Sequence, residues 1–112
     1  METAPIVRVV TSSLFEENAY LVSLAKGGDC IVVDPGLDAD QIVEALQAAG
    51  LNPLAILNTH GHGDHIAGNE LLKQTWPAAP LIIGAGDAWK LTDPAGNLSA
   101  EFGMPMVSPP AD

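Results

Sequence analysis

Apolar residues fall in short β-branched runs separated by polar, glycine- or proline-containing turns. Ile6-Val7-Arg8-Val9-Val10 reads as a first strand. Residues 11–18 read as a loop, with the pair Glu16-Glu17 expected to be solvated. Residues 19–24 form a second strand and residues 30–33 a third; Lys26-Gly27-Gly28-Asp29 turns one into the other as a hairpin. Asp34-Pro35-Gly36 ends the third strand. The period then lengthens. Ile42, Val43, Leu46 and Ala49 fall on one face of a helix over 38–49. Asp38 with Gln41 predicts a capping box, Gly50 the stop, and Pro53 follows. Leu54-Ala55-Ile56-Leu57 is a fourth strand. Residues 69–76 read as a second helix closed by Pro77, with Leu71 and Leu72 inward and Lys73 and Gln74 facing water. Residues 80–83 are a fifth strand and 85–91 a short helix, with Trp89 expected in the core, its alternative being the wall of a substrate cleft. From Thr92 onward prolines and glycines break regular structure. Asn97 and Ser99 are expected in turns or caps, and Phe102, Met104 and Met106 as a wall or a cover over the core. No internal repeat or linker divides the chain.

Two of these strands carry more than a boundary. Ile31-Val32-Val33 and Ala55-Ile56-Leu57 are apolar at consecutive rather than alternate positions, the pattern of strands buried on both faces. The expected helices cover one face. The other is left without a cover from within the chain, a liability unless it is paired.

The chain has 112 residues and is 47% hydrophobic, enough for one domain with a modest core. Four Lys and Arg face fourteen Asp and Glu, for a net charge of −10. That opposes nucleic-acid and anionic-membrane binding. Cys30 is the only cysteine, so no intramolecular disulfide forms, and it reads as a buried, inert thiol. Met1-Glu2-Thr3-Ala4-Pro5 lacks a basic region followed by an apolar stretch, and no segment reads as membrane-spanning; a cytoplasmic location is the expectation.

The candidate chemistry lies in Thr59-His60-Gly61-His62-Gly63-Asp64-His65, which holds all three histidines of the chain. His and Asp side chains bind borderline divalent cations such as zinc. If the backbone stays extended past the fourth strand, His60, His62 and Asp64 point one way, and His65 needs a bend to join them. Gly61 and Gly63 permit that bend and keep bulk away from an ion. Two ligand sets fit this spacing, His60 with His62 and Asp64 with His65, the alternative being a solvated polar loop. They are the start of a two-metal centre, with ions about 3.5–4 Å apart. The H-E-x-x-H pattern of zincin proteases is absent.

This stretch resembles the H-x-H-x-D-H signature of the metallo-β-lactamase superfamily. Val33-Asp34-Pro35-Gly36 resembles the family's strand-end D-P-G, and Asn18-Ala19-Tyr20-Leu21-Val22 its early N-x-Y strand. Ile66-Ala67-Gly68-Asn69 continues the signature. Asp93-Pro94, Asn97-Leu98-Ser99 and Ser108-Pro109-Pro110-Ala111-Asp112 are similar to segments of its glyoxalase II-like, or hydroxyacylglutathione hydrolase-like, branch. The resemblance implies an α+β fold, an αβ/βα sandwich of which residues 1–112 supply the N-terminal αβ half, with a mixed, mostly antiparallel sheet and helices on one face. It implies that His60 and His62 ligate one metal, that Asp64 and His65 ligate a second, and that Asp64 also orients the attacking water. Asp34 falls beneath the site, where it helps orient the ligands. The implied cofactor is a pair of Zn2+ ions, with Fe or Mn as alternatives, and the implied reaction is hydrolysis of a small-molecule thioester. The family completes its centre with two further histidines and a bridging aspartate. No histidine follows His65, and Asp87, Asp93 and Asp112 do not match that aspartate, so this piece alone is expected to be inactive. An alternative within the fold is a mononuclear-iron persulfide dioxygenase. A third reading is a non-catalytic module that pairs with a second copy or another chain; self-pairing covers the sheet but adds no histidine from outside the motif.

Overall fold

The computed structural model describes residues 4–112. The reading of the extreme N-terminus rests on Met1, Glu2 and Thr3, which lie outside the described residues. Five strands form one sheet in the order β1 (Ile6–Thr11), β2 (Asn18–Ser23), β3 (Gly28–Val33), β4 (Leu51–Asn58) and β5 (Leu81–Ile83). The first two pairings are antiparallel and the last two parallel. The sheet is therefore evenly mixed, because β1 to β3 are joined by short turns whereas helices connect β3 to β4 and β4 to β5. The crossovers are α1 (Ala39–Ala48) and the pair α2 (Gly63–Ile66) and α3 (Asn69–Thr75).

All the expected strands form. β4 starts three residues earlier than the apolar run and takes in Pro53, which stands opposite Cys30 where the register shifts. A residue without an N–H is tolerated at such an irregularity. Gly50 ends α1 with φ +66°, and Gly28 supplies φ +91° at the β2–β3 turn. The capping box does not form. Asp38 is left-handed, with φ 58°, and caps nothing with its side chain. Its carboxylate instead accepts the amide and hydroxyl of Ser13, at 2.8 and 3.0 Å, and so ties the β1–β2 loop to the start of α1.

The core is built on one row across the sheet. Leu21 pairs with Val32, Val32 with Ile56, and Ile56 with Leu81, and all four have no exposed surface. Ile42 and Leu46 of α1, Ile66 of α2, Leu72 of α3 and Leu91 close over this row from one side. Leu71 is only partly buried. Trp89, expected in the core, is instead 56% exposed and lies across Gly96, with Lys90 Nζ 5.8 Å from its ring. Cys30 is buried, and its thiol pKa is pushed up to about 11, chiefly by burial.

The other face is open. The next row of pairs runs Val9, Tyr20, Val33, Leu57 and Ile82, one residue from each strand. Val9, Tyr20, Leu57 and Ile82 are all exposed, as are Val7, Ile31 and Leu54. The consecutive apolar residues of β3 and β4 thus mark a sheet meant for two covers of which this chain supplies one. The architecture is a half α+β sandwich. The tail runs along the β5 edge: Asp112 N–H donates to Leu81 O at 2.9 Å, and its carboxylate accepts from Leu81 N–H at 2.7 Å and Lys73 Nζ at 2.9 Å. Among the described residues no helix is long and apolar enough to cross a membrane.

Candidate metal centre

The carboxyl end of β4 carries the chain into the histidine-rich loop. His62 is still extended, with φ −72° and ψ 143°, but at Gly63 the backbone turns into α2. The His65 amide closes that turn on the His62 carbonyl at 2.9 Å. The extended reading therefore fails at Asp64, which is helical together with His65. This helical turn is the bend that His65 needed: its ring centroid lies 4.1 Å from that of His60, and His62 lies 4.6 Å from His60 on another side.

Beneath the three rings sits Asp34, 4% exposed and left-handed with φ 52°. A non-glycine residue held there costs on the order of 1–3 kcal/mol, a strain that the bonds it makes must offset. Asp34 Oδ1 accepts the Thr59 amide at 2.7 Å, and Oδ2 accepts the Thr59 hydroxyl at 2.6 Å. A hydroxyl has one proton, so the contact from Thr59 Oγ1 to His60 Nδ1 at 2.9 Å requires the ring N–H to donate. His65 Nδ1 stands 3.2 Å from Asp34 Oδ2 and donates in the same way. One buried carboxylate thus sets the tautomer of two histidines, directly for His65 and through Thr59 for His60. Both leave Nε2 with a free lone pair. His65 Nε2 faces Asp64 Oδ2 at 3.6 Å. The His60 pKa is lowered by burial first and then by the neighbouring His65 and His62, which favours the neutral, ligating imidazole.

Asp34, His60 and His65 bring ligand-type atoms within 4.8 Å of one another, a cluster that fits a divalent cation in size and donor chemistry. With both Asp34 oxygens engaged by Thr59 and His65, that residue is better suited to orienting the rings than to ligating. Gly36 explains the D-P-G turn. A β-carbon there would collide with the Asp64 carbonyl and the Glu17 carboxylate, so the loop approaches the histidine segment only without a side chain.

Three further residues shape the centre and were not legible as such. Glu17, expected in solvent, is 5% exposed, whereas its neighbour Glu16 is exposed as expected. Its Oε1 lies 3.4 Å from His65 Nδ1, yet neither carboxylate oxygen has a hydrogen-bond partner among the described residues, because that ring proton goes to Asp34. Burial, then the nearby Asp34 and Asp64 charges, push its pKa from 4.5 up to about 8. Asp87 accepts the Gly61 amide at 2.9 Å, a bond that holds its pKa below the usual carboxylate range. Asn97, fully buried, accepts the Gly63 amide on its carbonyl at 2.7 Å. Glu17 and Asp87 stand apart in the sequence from the motif they touch, so no local pattern marks them; for Asn97 a turn role was legible, but not its partner.

Over residues 13–112 the chain matches the family profile of the Metallo-beta-lactamase superfamily. It belongs to that superfamily. The profile covers the D-P-G turn, the histidine motif and the tail. Within the superfamily, the hydroxyacylglutathione hydrolase of Xanthomonas axonopodis pv. citri is 42% identical, the match covering 78% of this chain and 39% of that protein. The hydroxyacylglutathione hydrolase of a Synechococcus species, strain WH7803, is 39% identical over 71% of this chain and 33% of its own. Among metallo-beta-lactamase structures, the BLEG-1 B3 metallo-beta-lactamase superposes with a TM-score of 0.89 at 31% identity, covering 96% of this chain and 51% of that one. TTHA1623 in a di-iron-bound form gives 0.77 at 32% identity, with 95% and 52% covered. The chain spans about half the length of these structures and less of the curated relatives, so its resemblance to the glyoxalase II-like branch covers only part of those proteins.

Proposed function

We propose that this chain is the N-terminal half of a metal-dependent hydrolase acting on thioesters of the hydroxyacylglutathione type. The observation that carries the reading is the orientation of His60 and His65, each with its Nδ1 proton spent on Thr59 or Asp34 and its Nε2 lone pair left free, His65 Nε2 standing 3.6 Å from Asp64 Oδ2. His60 and His62 hold one ion, and Asp64 and His65 a second. Zinc is the metal that this donor set favours; the di-iron-bound relative supports iron as the alternative. When bound, the cations supply Lewis acidity for the carbonyl and lower the pKa of water to about 7. Asp64 orients the attacking water and takes its proton. Asp34 and Thr59 keep the imidazoles aimed. The open sheet face, with Val9, Tyr20, Leu57 and Ile82 in one row, takes the second αβ layer of the sandwich, and that layer supplies the missing histidines and the bridging aspartate. The piece alone is therefore inactive, and the protein is assigned to the cytoplasm.

Metal per chain, measured by elemental analysis of the dialysed 112-residue protein, tests the first part. No retained zinc or iron means that the four motif residues do not hold metal unaided. Thioesterase activity of a longer chain that includes the second layer tests the rest. Asp64→Ala there is expected to lower kcat by roughly 100-fold or more, the scale of a lost acid–base group; undiminished turnover would remove Asp64 from its role. Oxygen consumption with a persulfide substrate would instead favour the iron dioxygenase reading.

A further inference from the structure

The two glycines of the motif are gripped from outside by one segment. Gly61 lies between His60 and His62, and its amide donates to Asp87 Oδ2 at 2.9 Å. Lys90 Nζ donates to the other Asp87 oxygen at 3.2 Å. The fit is close: a β-carbon on Gly61 would stand 2.7 Å from Lys90 Cβ, and one on Gly63 would stand 2.9 Å from Ser99 Cβ. Neither glycine has a positive φ. The bend at Gly63 therefore needs no left-handed backbone, and the lack of a side chain at both glycines serves close contact with this segment. The Gly63 amide goes to the Asn97 carbonyl at 2.7 Å, while the Asn97 side-chain amide donates to the carbonyls of Lys90 and Met106, both at 3.0 Å. The turn Ala88–Thr92, the Asn97 loop and the tail thus form one unit. It holds the histidine backbone at two alternate amides.

Residues 60–62 have left the sheet ladder, so their backbone groups need other partners. Gly61 is also the residue with the widest backbone freedom, and its φ and ψ lie between His60 and His62, where they help set the angle between the two side chains. A charged acceptor on its amide makes a shorter, stronger bond than a neutral one. We propose that Asp87 is a positioning residue whose carboxylate, by accepting the Gly61 amide, fixes the backbone so that His60 and His62 meet one metal ion. This rests on the metal-centre reading above.

The test compares the 112-residue chain with its Asp87→Ala and Asp87→Asn variants. Zinc alone is the probe, titrated against a chromophoric chelator. The second readout is the Gly61 amide proton, followed by NMR in metal-free protein. The alanine variant is expected to bind zinc roughly 10–100-fold more weakly, the effect typical of residues that orient metal ligands. Its Gly61 amide should move upfield and lose exchange protection. The asparagine variant, which keeps an acceptor oxygen, should recover most of both. Wild-type zinc affinity in the alanine variant, or equal losses in the two variants, overturns the proposal. If the alanine variant does not fold, the asparagine variant decides: a protected Gly61 amide with near-wild-type affinity upholds the proposal, and loss of either overturns it. A wild-type chain that takes up no zinc shows that the motif residues do not hold metal unaided and overturns the clamp as a device of this chain, whereas normal wild-type uptake with an unaffected alanine variant overturns the clamp and leaves the metal reading standing.

Discussion

Replacing Glu17 with glutamine in metal-free protein should change how stability depends on pH, not merely its level. The Glu17 carboxyl is 5% exposed, has no hydrogen-bond partner among the described residues and lies near Asp34 and Asp64, so burial first and those charges second raise its pKa from 4.5 to about 8. The folded-state value is the higher one, so the folded protein binds this proton more tightly than the unfolded chain. The stabilisation is fully present below about 4.5 and is lost as pH rises through about 8. At about 1.4 kcal/mol for each tenfold change in proton concentration, the whole window corresponds to on the order of 5 kcal/mol, a large share of the roughly 5–15 kcal/mol of a small domain. Glutamine keeps the shape and cannot ionise. Its advantage over the wild type should therefore grow from pH 5 to about pH 8 and then level off, whatever fixed cost its amide adds. Urea unfolding followed by circular dichroism, with a chelator present throughout, measures the difference. Parallel pH profiles for the two proteins would show that the Glu17 carboxylate is solvated or paired, and the argument from its burial would fall.

Asp34→Asn should preserve the left-handed backbone, which asparagine tolerates, but its one amide oxygen cannot replace both carboxylate oxygens: in the Oδ2 place it sets an NH2 against the Thr59 amide, and in the Oδ1 place it loses the Thr59 hydroxyl and His65 Nδ1. Zinc affinity, read by chelator competition, is expected to fall roughly 10–100-fold; unchanged affinity would separate Asp34 from the ligand orientation. Leu46→Ala, at a fully buried position of α1 against the Leu21–Leu81 row, should cost about 3–5 kcal/mol in urea unfolding. A loss below about 1 kcal/mol would mean that α1 is not packed on the sheet as described.

The strands, helices and motif were legible because each is written in local pattern. β-branched runs, the 3.6 period of Ile42 and Leu46, Gly28 and Gly50 at turns, and three histidines in six residues all need only neighbours in the chain. The doubly apolar β3 and β4 even announced the open face, since burial on both sides leaves a mark in every strand. What local pattern could not carry was partnership at a distance. Asp38 looked like a cap because a cap is a local bond, but Ser13 competes for the same carboxylate from another loop. Trp89 looked like core because it is large and apolar, yet the turn that holds it faces outward and Gly96 lies under its ring.

The same division runs through the metal centre. The sequence determined which groups are present, namely four ligand-type side chains, two glycines and a D-P-G turn, and hence the class of cation they suit. Tertiary structure alone decided how those groups are aimed. Asp34 reaches Thr59 and His65 across 25 and 31 residues, Glu17 is driven under His65 by the β1–β2 loop, and Asp87 closes on Gly61 from 26 residues away. The physical reason is that a side chain's identity is local, whereas its tautomer, its charge and its direction depend on which other groups the folded sheet brings within hydrogen-bonding reach.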